Sequence, residues 1–256
     1  MKPQEFVKEY SIKSLVCCFS GGRSSLAMTH YVLSELEGFD IDKYVAFVDT
    51  GVMLPDAIDF VKDIAENFGW NLKVLKPKTD FWTYAKRYGT PSIKRRWCCK
   101  ILKLQPIFDF VKSLPPQRAE VLGFRADEVE RRRKRPQVWY RRKIRAWVYY
   151  PIKSWTKKDV IDYLKRNGLP EPPWYRLGLK ETCLCGAYSH KKEWLIIKAH
   201  YPELFEKFVE LDKERQKWGR TAFYDHGPVS AQDLAKQKTL DEYENCTELR
   251  KAELRG

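Results

Sequence analysis

Four cysteines of this chain fall into two tight pairs, Cys98-Cys99 and Cys183-x-Cys185, far apart in sequence. Four thiolates brought together make a metal or cluster site. Structural zinc sites usually leave two residues between paired cysteines, and neither pair has that spacing. Adjacent and one-apart cysteines sit awkwardly around a tetrahedral ion, so Cys98, Cys99, Cys183 and Cys185 are expected to hold a 4Fe–4S cluster. The alternative is four buried core thiols. Against it, Cys98 stands beside Lys94, Arg95, Arg96 and Lys100, a setting that lowers a thiol pKa and favours the thiolate. The chain has 7 cysteines, an odd number, which speaks against a disulfide framework. Cys17 and Cys18 lie in an apolar run and read as packing residues. Cys246, in Glu244-Asn245-Cys246-Thr247, is either incidental or a swinging nucleophile or sulfur carrier. His190 and His226 have no evident partner and read as structural.

The second chemistry is anion binding. In Leu15-Val16-Cys17-Cys18-Phe19-Ser20-Gly21-Gly22-Arg23-Ser24-Ser25 an apolar run meets a glycine turn and then a helix-forming stretch. Glycines allow close backbone approach, and a helix start presents N–H donors with a partial positive charge; both favour phosphate. Ser24 and Ser25 can cap the helix and add hydroxyls. Asp49-Thr50-Gly51 forms a second acid–hydroxyl–glycine turn. Nine of the fifteen residues from Arg131 to Arg145 are Lys or Arg, with Trp139 and Tyr140 among them. Arginines interleaved with aromatics suit unstacked bases.

These residues need a scaffold, and the patterning supplies one. Ser14–Ser20 reads as a strand and the stretch from Ser24 to Leu36 as a helix ended by Gly38. Tyr44–Gly51 reads as a second, nearly all-apolar strand that ends in the second glycine turn, as in a parallel sheet buried on both faces. Pro55 opens a helix to about Phe68, Leu72–Leu75 is a strand, and Asp80–Tyr88 a short helix. Further strands are expected at Glu120–Arg125 and Ala146–Ile152. A helix follows Trp97-Cys98-Cys99 to Ser113, and another, capped by Thr156, runs to Asn167. Residues 1–12 read as a polar lead-in. The alternation implies an α/β fold: a doubly wound, mainly parallel sheet with helices on both faces and a helical C-terminal extension. In such sheets ligands bind beyond the carboxyl ends of the strands, where both glycine turns fall. The expected division is a nucleotide-binding α/β domain at 1–180 and a cysteine-bearing helical extension at 181–256.

With 43% hydrophobic residues in 256, the chain can bury a substantial core. It has no apolar run long enough to span a membrane and no leader-like N-terminus, so a cytoplasmic protein without membrane contact is expected. The net charge of +14 points to a polyanionic partner or substrate, against the alternative of a solvated basic surface.

Together these motifs resemble the phosphoadenosine phosphosulfate (PAPS) reductase family, within the PP-loop ATP pyrophosphatase group of the adenine nucleotide alpha-hydrolase-like, Rossmann-like fold. Ser20–Ser25 is similar to the PP-loop, and Asp49-Thr50-Gly51 to the second turn. Arg96-Trp97-Cys98-Cys99 with Leu102, Lys103 and Pro106 looks like the cysteine helix, and Gly123-Phe124-Arg125-Ala126-Asp127-Glu128 like the third motif. Pro151-Ile152-x-x-Trp155-Thr156 and Tyr175-x-x-Gly178 complete the order across residues 14–190. The resemblance implies an adenine nucleotide, ATP or PAPS/adenosine phosphosulfate (APS), held by Ser20, Gly21, Gly22, Arg23, Ser24, Ser25, Asp49, Thr50 and Gly51. It implies Arg125 and Cys246 as catalytic residues. The resemblance allows magnesium as well. The chain departs from the family in three places. Ser24 stands where ATP-using members carry aspartate, the second cysteine pair is Cys-x-Cys, and the Glu-Cys-Gly signature of sulfonucleotide reductases is absent.

Two sulfur chemistries follow from the resemblance. In the first, ATP activates an oxygen of tRNA or DNA bound along Arg131–Arg145, and sulfur supplied by way of a cysteine desulfurase replaces it. In the second, a cysteine attacks the sulfur of PAPS or APS and thioredoxin releases sulfite. The intact Ser-Gly-Gly loop and the basic strip favour the first. A third class, a nucleic-acid-binding module without chemistry, would leave the cysteines idle. A homodimer is compatible with all three.

Overall fold

The computed structural model describes residues 1–91, 95–128, 134–185, 191–216 and 231–236. Cys246, His190, His226 and Arg131–Arg133 lie outside the described residues. In chain order the first elements are α1 (Pro3–Glu9), β1 (Ser14–Cys18), α2 (Arg23–Glu35), β2 (Asp42–Val48), α3 (Pro55–Asn67), β3 (Leu72–Leu75) and α4 (Phe81–Tyr88). A wide π-helical turn at Cys99–Leu104 leads into α5 (Gln105–Ser113). Then come β4 (Arg118–Val121), β5 (Val138–Arg141), β6 (Ala146–Tyr149), α6 (Lys157–Arg166), α7 (Lys191–His200), α8 (Pro202–Gln216) and α9 (Ala231–Lys236). No helix among the described residues is long and apolar enough to cross a membrane.

The six strands form one sheet in the order β3-β2-β1-β4-β6-β5. All neighbouring pairs are parallel except β5 with β6. β1 is buried at every position, because it carries neighbours on both edges and layers on both faces. Val16, Cys18, Ala46 and Val48 of the sheet pack with Ile107, Phe108 and Val111 of α5. α3 buries Ala57, Val61, Ile64 and Ala65, a helical stripe at i, i+4, i+7 and i+8. α2 buries six residues, including Ser25 and Thr29, in accord with its lack of a single apolar stripe. This is the α/β, mainly parallel architecture expected from the sequence.

Two elements differ from the expectation. The polar lead-in contains α1, whose Phe6 is fully buried and stacks on Tyr149 at 4.3 Å. The basic strip contains β5, an antiparallel edge strand that carries the chain from the carboxyl rim of the sheet to its amino rim. Arg135 therefore precedes β5 at one rim, while Arg142, Lys143 and Arg145 follow it at the other. At about 3.3 Å per residue, the four residues of β5 separate the two basic groups by roughly 13 Å.

The chain forms two compact units. The first comprises Met1–Asp49, Pro55–Pro77 and Ile101–Pro173, and holds the whole sheet. The second comprises Thr50–Leu54, Lys78–Lys100 and the chain from Trp174. Where the sequence suggested a boundary near residue 180, the second unit thus also draws on two earlier segments. Its interior is aromatic: Phe208 lies 4.7 Å from Trp194 and 4.9 Å from Trp82. The buried Arg215 donates to the carbonyls of Ala85 and Lys86 at the end of α4, at 3.2 Å each.

Candidate active site

In the first unit the chain runs from β1 to β2 and β3 on one side, then crosses to β4 on the other side of β1. That reversal makes β1/β4 a topological switch point, where open α/β sheets form their ligand crevice. The loops leaving these two strands carry Ser20–Ser25 and Gly123–Arg125. Gly21 has φ 79°, which favours glycine, and Gly22 caps α2 in an extended conformation. The Ser25 hydroxyl accepts from the Ser20 amide at 3.1 Å and donates to the Gly22 carbonyl at 2.9 Å. Ser20 Oγ lies 3.0 Å from the same hydroxyl. Ser25 thereby closes the loop on itself, and the first-turn amides of α2 point away from the helix body.

The second loop is fitted against the first. A Cβ on Gly123 would stand 2.8 Å from the Ser24 carbonyl oxygen, so only glycine lets β4 exit this close to α2. Two residues on, Arg125 donates from Nη1 to Ser24 Oγ and from Nε to Asp127 Oδ1 at 2.8 Å. Asp127 Oδ2 accepts from the Lys157 amide at 2.8 Å. The Arg125 hydrogen bond holds the Asp127 carboxyl below its ordinary pKa, helped by the Lys157 amide. Arg23 pairs with Glu171. The cradle thus sets a guanidinium beside the Ser24 hydroxyl, a group that can meet an anion directly. Asp49, at the end of β2, lies 3.8 Å from Lys76.

Deeper in the same unit is a buried charge that the sequence did not disclose. Glu120 of β4 is fully buried and accepts from Arg141 at 2.6 Å; Cys18 Sγ lies 3.9 Å away. Burial raises the Glu120 pKa, opposed by Arg141 and the Cys18 contact. Burial also raises the pKa of Cys17 and of Cys18, so both are packing thiols. Arg141 lies over Trp139 and Phe108, each at 4.9 Å, and Arg135 lies over Trp139 at 5.1 Å. Trp139 is therefore engaged by two guanidinium groups, whereas Tyr140 is exposed.

The second unit holds the four candidate ligands. Cys98 Sγ lies 3.5 Å from Cys185 Sγ and 4.0 Å from Cys99 Sγ, so two sequence-remote pairs meet. Cys183 Sγ lies 3.6 Å from Thr50 Oγ1, and its backbone forms an antiparallel bridge with Met53. Cys98 is buried. The Cys185 contact acts to lower its thiol pKa, but the Cys99 contact and burial outweigh it and leave the pKa raised. The expectation of a thiolate favoured by neighbouring cations is thus corrected: the described contacts of the Cys98 sulfur are the sulfurs of Cys185 and Cys99. As a donor set, four thiols from two pairs suit a thiolate-bound cluster. Their present spacing is tight, and among the described residues no group of three or more His, Cys, Asp or Glu side chains surrounds a metal position. Thr50 is buried beside Cys183, and Gly51 follows with φ 75°. Of the Asp49-Thr50-Gly51 turn, Asp49 belongs to the first unit and Thr50 and Gly51 to the second.

A sequence model of the phosphoadenosine phosphosulfate reductase domain matches residues 14–190. The chain belongs to the PAPS reductase family. A Methanocaldococcus jannaschii protein described as uncharacterized is 34% identical over 215 residues, covering 80% of this chain and 48% of the relative. A phosphoadenosine 5'-phosphosulfate reductase of Buchnera aphidicola is 27% identical over 202 residues, 76% of each. The chain spans about half the length of the two archaeal relatives it matches, 48% and 42%. The structure of a PAPS reductase from Candida auris, a phosphate complex, superposes with a TM-score of 0.53 at 20% identity, covering 71% of this chain and 87% of that one. That likeness shows the adenine nucleotide alpha-hydrolase-like fold of the family.

Proposed function

We propose that the chain is a sulfonucleotide reductase, binding PAPS or APS in the Ser20–Ser25 cradle and reducing its sulfur. The carrying observation is Arg125 hydrogen-bonded to Ser24 at the first turn of α2, with family membership over residues 14–190 and a relative named as a PAPS reductase in support. In this reading the amides of Gly21–Ser25 and the Arg125 guanidinium bind the anionic end of the nucleotide, and Arg125 stabilises charge released on the leaving phosphate. Ser24 offers no carboxylate for magnesium, and Arg125 replaces that ion.

The reaction needs two thiols. A thiolate attacks the sulfur, the sulfur–oxygen bond breaks, and the adenine nucleotide leaves with the oxygen and its electron pair. The resulting S-sulfocysteine is attacked at the cysteine sulfur by a second thiolate, which releases sulfite and leaves a disulfide. A thioredoxin-type dithiol returns the two electrons. Cys246 is the candidate nucleophile. Cys98, Cys99, Cys183 and Cys185 would hold a 4Fe–4S cluster, which supplies one-electron redox chemistry when bound.

The exposed Arg142, Lys143 and Arg145 keep a second reading in play: ATP-dependent thiolation of tRNA or DNA, with a cysteine desulfurase as sulfur source. It is weaker because Arg141 is committed to Glu120 and Trp139 to two guanidinium groups. Anaerobic turnover with ATP, PAPS and APS separates the readings. Sulfite from PAPS or APS, unaffected by EDTA and lost in Cys246→Ser, is expected. Pyrophosphate released from ATP, with no sulfite from either sulfonucleotide, transfers the assignment to thiolation.

A further inference from the structure

We infer that Asp127 is a positioning residue that fixes the Arg125 guanidinium over the cradle by tying it to the start of α6; this rests on the cradle binding an adenine nucleotide. The contacts form one chain. The Lys157 amide, at the first residue of α6, donates to Asp127 Oδ2, and Arg125 Nε donates to Asp127 Oδ1, both at 2.8 Å. Arg125 Nη1 then donates to Ser24 Oγ at the first turn of α2. Each carboxylate oxygen serves one donor, so an amide side chain cannot serve both: its NH2 would face one of the two N–H groups. Arg125 is thereby held at Nε and Nη1. Its Nη2 has no hydrogen bond among the described residues and is left for an anion.

A carboxylate beside the binding arginine has an opposing effect, since it offsets part of the positive charge the ligand would meet. Two features of the site reduce that effect. Asp127 also faces the amino end of α6, whose partial positive charge compensates the carboxylate. The alternative to Asp127 is a long side chain free to sample many rotamers and to swing into solvent, as a partly exposed arginine does. Positioning outweighs neutralisation on this arrangement.

A purely local role, in which Asp127 only caps α6, is separable. The α6 start has its own capping box: Asp159 Oδ2 accepts from the Thr156 amide at 2.7 Å and from its hydroxyl at 2.8 Å. Asp159→Asn weakens that cap without touching Arg125 and serves as the control.

The test is calorimetric titration of the full chain with APS, in wild type, Asp127→Asn, Arg125→Ala, the double variant and Asp159→Asn. Asp127→Asn is expected to weaken binding about fivefold to tenfold, the range for a charge-assisted hydrogen bond that is partly exposed. Asp159→Asn leaves affinity unchanged, and the double variant binds no more weakly than Arg125→Ala alone, because Asp127 acts only through Arg125. Without ligand, the Arg125 Nε–H resonance is protected from exchange in wild type and unprotected in Asp127→Asn. Unchanged or tighter binding by Asp127→Asn, or losses that add in the double variant, overturn the positioning role while leaving the cradle intact. A wild type that binds neither APS, PAPS nor ATP overturns the cradle and the positioning role with it.

Discussion

Replacing Arg141 with methionine leaves an aliphatic side chain over Phe108 and Trp139 and removes the only described cation bonded to Glu120. Glu120 is fully buried and Arg141 has a side-chain exposure of 16%. Removing one partner of a buried ion pair costs about 3–5 kcal/mol. The partial exposure of Arg141 puts the expected loss near the lower end, about 3 kcal/mol. Loss of the guanidinium–ring contacts adds up to about 1 kcal/mol. At about 2–4 °C per kcal/mol for a chain of this size, the melting temperature should fall by about 10 °C. The loss depends on pH in a definite direction. Burial raises the folded-state pKa of Glu120, so the folded protein loses stability as pH rises from the unfolded carboxyl value, about 4.3, up to the folded one. Without Arg141 the folded value rises further, and the loss continues to higher pH. The gap between wild type and variant should therefore be small at pH 4.5 and large at pH 8. Adding Glu120→Gln should recover much of it. Differential scanning calorimetry at both pH values makes the measurement. An equal gap at the two, with no recovery in the double variant, would show that ring packing and not the ion pair carries the effect.

Three further outcomes are expected. Gly123→Ala drives a Cβ to 2.8 Å from the Ser24 carbonyl and should destabilise by about 1–3 kcal/mol, with a larger proportional loss of nucleotide affinity than any equally destabilising change distant from the cradle, read by titration and melting. Phe6→Ala should cost about 3–5 kcal/mol and expose Tyr149, read as a fall in melting temperature. Cys98→Ala should remove the iron and the colour of anaerobically isolated protein, and a colourless wild type without iron would refute the cluster assignment.

The parallel sheet was legible because its strands carry long apolar runs, and the cradle because glycine and hydroxyl residues follow β1 at an obligatory turn. α1 was hidden because only Pro3, Phe6 and Val7 mark its buried face in a short polar segment. β5 was hidden because Arg141 faces a buried carboxylate: a strand that buries charge against charge has no apolar period to read. For the same reason the basic strip looked like one surface, although its described residues divide between two rims and an internal ion pair. Arg125 was recognisable from its motif. Its support by Asp127 and the Lys157 amide depends on α6 returning to the β4 exit, which no local pattern encodes. The burial of Cys98 was misread from its neighbours in sequence, because the sulfur of Cys185 comes from 87 positions away.

The interleaving of the two units bears on how the chain is made. The first unit closes only when Pro173 is present, and the second draws on Thr50–Leu54 and Lys78–Lys100 but gains its main body only after Trp174. A nascent chain leaving the ribosome therefore cannot finish the second unit when its early segments emerge; they must wait for the last third of the polypeptide. Contacts of such sequence separation fold slowly and leave apolar segments open to aggregation meanwhile. Neither unit can be excised as one contiguous fragment, so a truncation at any single point leaves at least one of them incomplete.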